Sequence, residues 1–144
     1  MDYDVVTGWW KDVGTPEGLL DALYLLLDNV TTQIKGKVSG EVLGRVIIEE
    51  GAVVEGSVYG PAYIGRDVVI EDSAVIEHYV SIEARSRILS GSLTRSLVLN
   101  DSAIDMNKLR LVDSVIGRHC SVTCKRELHG SIKLAISDYC KVLI

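Results

Sequence analysis

Five isoleucines, Ile64, Ile70, Ile76, Ile82 and Ile88, stand six residues apart. After the first four come Gly65, Glu71, Glu77 and Glu83, and four places after each isoleucine stands Val68, Ala74, Val80, Ser86 or Ser92. A helix needs apolar residues at a spacing of about 3.6 and an ordinary strand alternates every two. A strict period of six with a second small inward residue fits neither. It fits a chain that turns a corner every six residues, with one isoleucine pointing inward on each side. Three sides make a coil of roughly 18 residues, and stacked coils share one continuous core. Hairpins with loops of varied length would not hold five aliphatic residues in register, which argues against a β-sandwich.

The rest of the chain fits around this run. Asp2 to Val6 reads as a short strand, followed by a loop rich in glycine and tryptophan. Thr15 can cap a helix that has Pro16 in its first turn and Glu17 beside the positive end of its dipole. Leu19, Leu20, Leu23, Leu26 and Leu27 then share one helical face, predicting a helix over about 16–28. Its leucine stripe needs cover, either as a cap on the open end of a β-helix or against another domain. Residues 29–40 read as a linker or an irregular first coil. Hexapeptides begin at Val42, Ile48 and Val54, but Val54 to Ile64 is ten, so the register slips by two near Gly56–Pro61. Beyond Ser92 the period loosens into apolar pulses at Leu93, Leu97, Leu99, Ile104, Leu109, Leu111 and Val115, with a corner insertion at Asp105–Arg110. The expected fold is all-β, a parallel β-helix of about five coils with one short N-terminal α-helix.

Composition narrows the partners. Hydrophobic residues make up 47% of the chain, yet Phe is absent and aromatics are 6%, so Val, Ile and Leu must fill the interior. The formal charge is −5 and no basic stripe is present, which gives nucleic acid no footprint. No apolar run reaches the ~18 residues of a membrane span. The acidic Met1-Asp2-Tyr3-Asp4 start is unlike a signal peptide, making the cytoplasm the default location. Cys120, Cys124 and Cys140 have no CxxC spacing. They read as buried thiols or, with His119 or His129, as a zinc site.

The segment Val6-Thr7-Gly8-Trp9-Trp10-Lys11-Asp12-Val13-Gly14-Thr15-Pro16-Glu17-Gly18-Leu19-Leu20-Asp21-Ala22, with Leu25-Leu26-Leu27-Asp28 after it, resembles the end of the catalytic domain in long-form glucose-1-phosphate thymidylyltransferases. Ser57-Val58-Tyr59-Gly60-Pro61-Ala62-Tyr63-Ile64-Gly65 resembles that family's first coils. Asp113-Ser114-Val115-Ile116-Gly117-Arg118 and Ser137-Asp138-Tyr139-Cys140-Lys141-Val142 resemble its last. The resemblance implies a left-handed parallel β-helix, which spacing could not have told, since parallel crossovers are otherwise right-handed. It divides the chain into 1–40, the end of a catalytic domain with its helix and linker, and 41–144, the β-helix. The family's GGxGTRLxPxT signature and catalytic lysine are absent here. The chain therefore reads as the C-terminal part of such an enzyme, missing its N-terminal nucleotidyltransferase domain and inactive alone.

The resemblance also implies roles. Asp12 matches the acid of the family's W-x-D-x-G motif, one of two carboxylates that hold Mg²⁺ in an intact catalytic domain. The first expectation is a scaffold domain with no cofactor of its own, in an enzyme that makes dTDP-glucose and pyrophosphate from dTTP and glucose 1-phosphate. The alternative is a hexapeptide-repeat acyltransferase using acetyl-CoA. Its general base would be His78, at a corner of the strict repeat, with His119 second. A zinc site of His78, His119 and His129 is disfavoured by their spacing. Val53, Val69, Val75 and Leu89 are candidate outward residues of a homo-oligomer, a trimer first and a dimer or tetramer otherwise.

Overall fold

The computed structural model describes residues 15–144. Asp12, Trp9, Trp10 and the strand expected over Asp2–Val6 lie outside the described residues. Thr15 caps helix α1 (Pro16–Leu27), its side chain accepting a bond from the Gly18 amide at 3.1 Å. The first coil is β1 (Gln33–Ile34), β2 (Lys37–Val38) and β3 (Glu41–Leu43). The second is β4 (Val46–Ile48), β5 (Val53–Val54) and β6 (Ser57–Tyr59). In the next three coils one long strand serves two sides. They are β7 (Ala62–Ile64) with β8 (Val69–Ile76), β9 (Val80–Ile82) with β10 (Arg87–Thr94), and β11 (Ser96–Val98) with β12 (Ala103–Val112). A sixth coil, β13 (Val115–Ile116), β14 (Ser121–Thr123) and β15 (Gly130–Ile132), precedes a partial turn of β16 (Ala135–Ile136) and β17 (Lys141–Leu143).

All strand pairs are parallel and join each coil to the next. The first face stacks β1-β4-β7-β9-β11-β13-β16. The second stacks β2-β5-β8-β10-β12-β14-β17, and the third runs from β3 and β6 through the far halves of β8, β10 and β12 to β15. The molecule is a parallel β-helix of about six coils rather than five. The sequence count was low because the ladder already begins at Gln33, within the segment read as linker or irregular first coil.

The isoleucines fall where the period put them. Ile64 and Ile82 point inward from the first face, Ile70 and Ile88 from the second, Ile76 from the third, and all are fully buried. Val68, Ala74, Val80 and Ser86 are buried beside them. The slip after Val54 is a shortened corner in which Val58 takes the inward place and pairs beside Ile76. The expected insertion is a bulge: Ser90 and Ser92 oppose Asp105 and Arg110, and Met106 and Leu109 fold into the core.

Helix α1 does not close the end of the coil. It lies along the outer side of the first face, with Leu19, Leu20, Leu23 and Leu27 packed on Leu97, Leu99, Val115, Tyr63 and Tyr79. Glu17 at its start pairs with Lys133 at 3.2 Å, and Arg45 donates to the carbonyl of Asp28 at its end at 2.6 Å. The helix thus runs against the direction of coiling, from the sixth coil to the second. Its 12 residues extend ~18 Å, close to the ~19 Å of four strand spacings. Leu26 was expected on the buried stripe but is 48% exposed, while Tyr24 packs partly buried against the same cluster.

Each buried isoleucine is held on both sides by the same kind of residue, so a gap cannot close by sideways collapse. Replacing Ile82 with alanine is expected to cost about 2–5 kcal/mol. Urea denaturation of the two proteins measures this.

Candidate functional site

Two corners of the coil concentrate charge. Between the first and second faces, Asp67, Arg85, Asp101, His119 and Tyr139 stack in one column, each at positive φ. A non-glycine residue there costs roughly 1–2 kcal/mol. Ladder contacts offset it. Each of the five amides donates to a carbonyl of the preceding coil, as Arg85 does to Arg66 at 2.8 Å. Arg85 also grips Asp101 through two nitrogens at 2.8 and 3.1 Å, and His119 stacks flat on Tyr139 with centroids 5.0 Å apart. The Arg85 guanidinium holds the Asp101 carboxyl below the ordinary range.

Beside this column opens a polar cleft of about 370 Å³ lined by Glu49, Tyr63, Arg66, Glu83, Ala84, Arg85 and Asn100. Glu83 follows Ile82 and should point outward as Glu71 and Glu77 do. Instead it is only 5% exposed, and its Oε1 has no hydrogen-bond partner. Gly65 underlies it one coil earlier, where a Cβ would stand 3.0 Å from the Glu83 carbonyl carbon. Asn100 Oδ1, one coil later, is likewise buried and unpartnered, while its amide nitrogen donates to Asp101 at 2.8 Å. Tyr63 donates its hydroxyl to Glu49 at 3.1 Å, and burial together with that carboxylate raises the phenol well above its ordinary value. Burial pushes the Glu83 carboxyl up from 4.5 to about 7. The sequence marked this position only as the acid after a repeat isoleucine, and nothing in it signalled burial.

The residues singled out by sequence do not converge. His78 sits at the corner between third and first faces, its Nδ1 2.9 Å from the Gly60 carbonyl. Bonding to a carbonyl makes Nδ1 the protonated nitrogen and leaves Nε2 with its lone pair. His119 belongs to the other corner column, 3.8 Å from Asp101. Cys120 and Cys124 are buried and Cys140 is half-buried, all three as free thiols. Cys120 donates to the Ser137 carbonyl at 3.0 Å. Among the described residues no group of three or more His, Cys, Asp or Glu is placed to hold a metal ion, and no helix is long and apolar enough to cross a membrane. Asp12, the residue assigned to magnesium, lies outside the described residues. Val53, Val69, Val75 and Leu89 are half-buried, on or beside the second and third faces.

No family model matches the chain. It is 31% identical over 143 residues to the glucose-1-phosphate thymidylyltransferase of Streptomyces griseus, covering 97% of this chain and 40% of that protein. It is 33% identical over 135 residues to the bifunctional protein GlmU of Methanocaldococcus jannaschii, covering 83% of this chain and 30% of that protein. It is 33% identical over 126 residues to the low-salt glycan biosynthesis nucleotidyltransferase Agl11 of Haloferax volcanii, covering 85% and 35%. The chain spans 30% to 40% of the length of these curated relatives.

The buried Glu83 makes a testable demand on pH. Its folded pKa lies above the unfolded value, so folding favours the protonated form. That stabilisation is complete below pH 4.5 and is lost as the pH climbs through about 7. A shift of this size is worth about 3 kcal/mol. Glu83→Gln should therefore leave stability at about pH 4.5 nearly unchanged and raise it at about pH 8 by roughly 2–3 kcal/mol. Urea midpoints at the two pH values read the difference.

Proposed function

We propose that this chain, a homologue of sugar-1-phosphate nucleotidyltransferases over nearly all of its length, is the β-helix scaffold domain of such an enzyme. The parent reaction on this reading joins dTTP and glucose 1-phosphate to give dTDP-glucose and pyrophosphate. The match to a thymidylyltransferase along 97% of the chain but 40% of that relative carries the reading. Support also comes from the sequence, which has neither the Gly-rich signature nor the catalytic lysine of the nucleotide-binding half. Helix α1 suits the role, because it fixes the direction in which the chain arrives at the first coil. Magnesium is required by the whole enzyme, to which this chain would bring at most Asp12.

The same reading makes the protein a cytoplasmic homo-oligomer, a trimer first and a dimer or tetramer otherwise. Val53, Val69, Val75 and Leu89 are its contact residues. Purified chain should release no pyrophosphate from dTTP and glucose 1-phosphate in the presence of Mg²⁺. Sedimentation equilibrium should give a mass above 15.7 kDa. Pyrophosphate release would overturn the scaffold role.

One observation favours a second reading, acyl transfer from acetyl-CoA. The carbonyl of Gly60 orients the His78 imidazole and leaves Nε2 able to take a proton. On this reading calorimetry detects acetyl-CoA binding that His78→Ala abolishes. Silence at millimolar acetyl-CoA removes it.

A further inference from the structure

The small inward position at the corner between the first and second faces forms a column that changes chemistry along its length. Ala52, Val68, Ser86, Ser102, Cys120 and Cys140 occupy it on successive coils, each four residues after the inward aliphatic residue of the first face. In mid-column each hydroxyl both donates and accepts. Ser86 Oγ donates to the Leu99 carbonyl at 2.9 Å and accepts the Ser102 amide at 3.2 Å. Ser102 repeats this with the Gly117 carbonyl at 2.7 Å and the Cys120 amide at 3.1 Å. Cys120 repeats the first half, its Sγ donating to the Ser137 carbonyl at 3.0 Å. A thiol is the weaker donor and acceptor, so a third and fourth serine would serve this ladder better than two cysteines.

Register brings the two thiols together. Ser121 pairs with Lys141, and the Ser121 amide donates to the Cys140 carbonyl at 2.9 Å. Cys120 and Cys140 therefore stand one strand spacing apart, about 4.8 Å between Cα atoms, inside the ~4.4–6.8 Å that a disulfide spans. Their sulfurs take matching places, Cys120 Sγ 3.4 Å from the Arg118 carbonyl and Cys140 Sγ 3.8 Å from the Asp138 carbonyl. Cys120 is buried and Cys140 half-buried, so Cys140 is the one with room to turn toward its neighbour. Cys124 has no such neighbour, because the residue beside it on the next turn is Ile144.

We propose that Cys120 and Cys140 form a reversible disulfide that clasps the turn of β16 and β17 to the sixth coil. The oxidant is a small-molecule disulfide. The Cys140 thiolate attacks one of its sulfurs, forming a mixed disulfide and releasing one thiolate. The Cys120 thiolate then attacks Cys140 Sγ and expels the second. One disulfide is reduced to two thiols as two protein thiols are oxidised, and the protein's two protons pass to the released thiolates. Burial pushes the Cys120 thiol up, which leaves the first attack to Cys140. The turn that the clasp holds has only half-buried and exposed residues in its strands. The site lies within the described coils and does not depend on the scaffold role.

Incubating the full 144-residue chain with oxidised glutathione at mildly alkaline pH tests this. Thiols counted after denaturation should fall from three to one, with peptide mapping joining Cys120 to Cys140 within one chain. The thermal midpoint should rise by about 5 °C or more, and dithiothreitol should reverse both changes. Cys120→Ser continues the hydroxyl ladder, so in reducing buffer its midpoint should match the parent's; with oxidised glutathione it should stop at a mixed disulfide on Cys140. Cys140→Ser should keep both remaining thiols free. Three thiols persisting in the parent, or a link through Cys124 or between chains, would overturn the pairing. A Cys120–Cys140 link that leaves the midpoint unchanged would overturn the clasp.

Discussion

The backbone ladder of this molecule joins each coil only to the coil before it and the coil after it. That constraint turns a three-dimensional packing problem into columns. A residue is satisfied when the one a coil earlier and the one a coil later match it in size and polarity. The inward isoleucines form such columns, and so do polar atoms. At one corner the Ser102 amide donates to Ser86 Oγ at 3.2 Å and the Cys120 amide to Ser102 Oγ at 3.1 Å. At another the Ser114 amide donates to Ser96 Oγ at 3.2 Å and the Leu134 amide to Ser114 Oγ at 2.9 Å. These hydroxyls sit inside the stack without penalty because each also donates to a carbonyl, as Ser102 does to Gly117 at 2.7 Å.

A stack with only neighbour contacts can open from its ends. Ile34, Leu43 and Leu143 are exposed on the first and last of the described turns. Helix α1 is the one described element that touches coils far apart. By reaching from Lys133 to Arg45 it ties the sixth coil to the second and adds contacts that no pair of neighbouring coils could make. The apolar outward residues Leu97, Leu99 and Val115 belong to this device, not to the coil core. Read along the sequence they look like a decayed repeat. They are instead the outer surface of the first face, made apolar to receive the helix.

The repeat was legible wherever period and burial agreed. Ile64 to Ile88 announced the coil, and Thr15, Pro16 and the leucines announced the helix. The flank position of the helix was not legible, because an amphipathic stripe specifies that it must be covered and not by what. Handedness was expected from resemblance alone. The cleft was hidden for a related reason. Glu71, Glu77 and Glu83 hold equivalent places in the hexapeptide, and only the last is buried. Glu71 meets Arg87 and Glu77 meets Arg110, whereas Glu83 stands between Gly65 and Leu99 on adjacent coils. A carboxylate above glycine and below leucine finds no charge in its own column.

That column explains why Glu83 is a costly residue to keep. Leucine at this position would extend the apolar surface of Leu99 and remove a buried unpaired oxygen, a change expected to stabilise the fold. Stability alone therefore does not account for a carboxylate there. Ser81 shows the contrast. Its hydroxyl is also buried and unpartnered, but it faces the apolar groove of about 280 Å³ lined by Leu23, Leu26, Leu27, Val30, Ile47 and Tyr63. No charged side chain lines that groove. Around Glu83, by contrast, Glu49, Arg66 and Arg85 line one polar cleft, so the buried carboxyl lies beside charge that its own column does not supply.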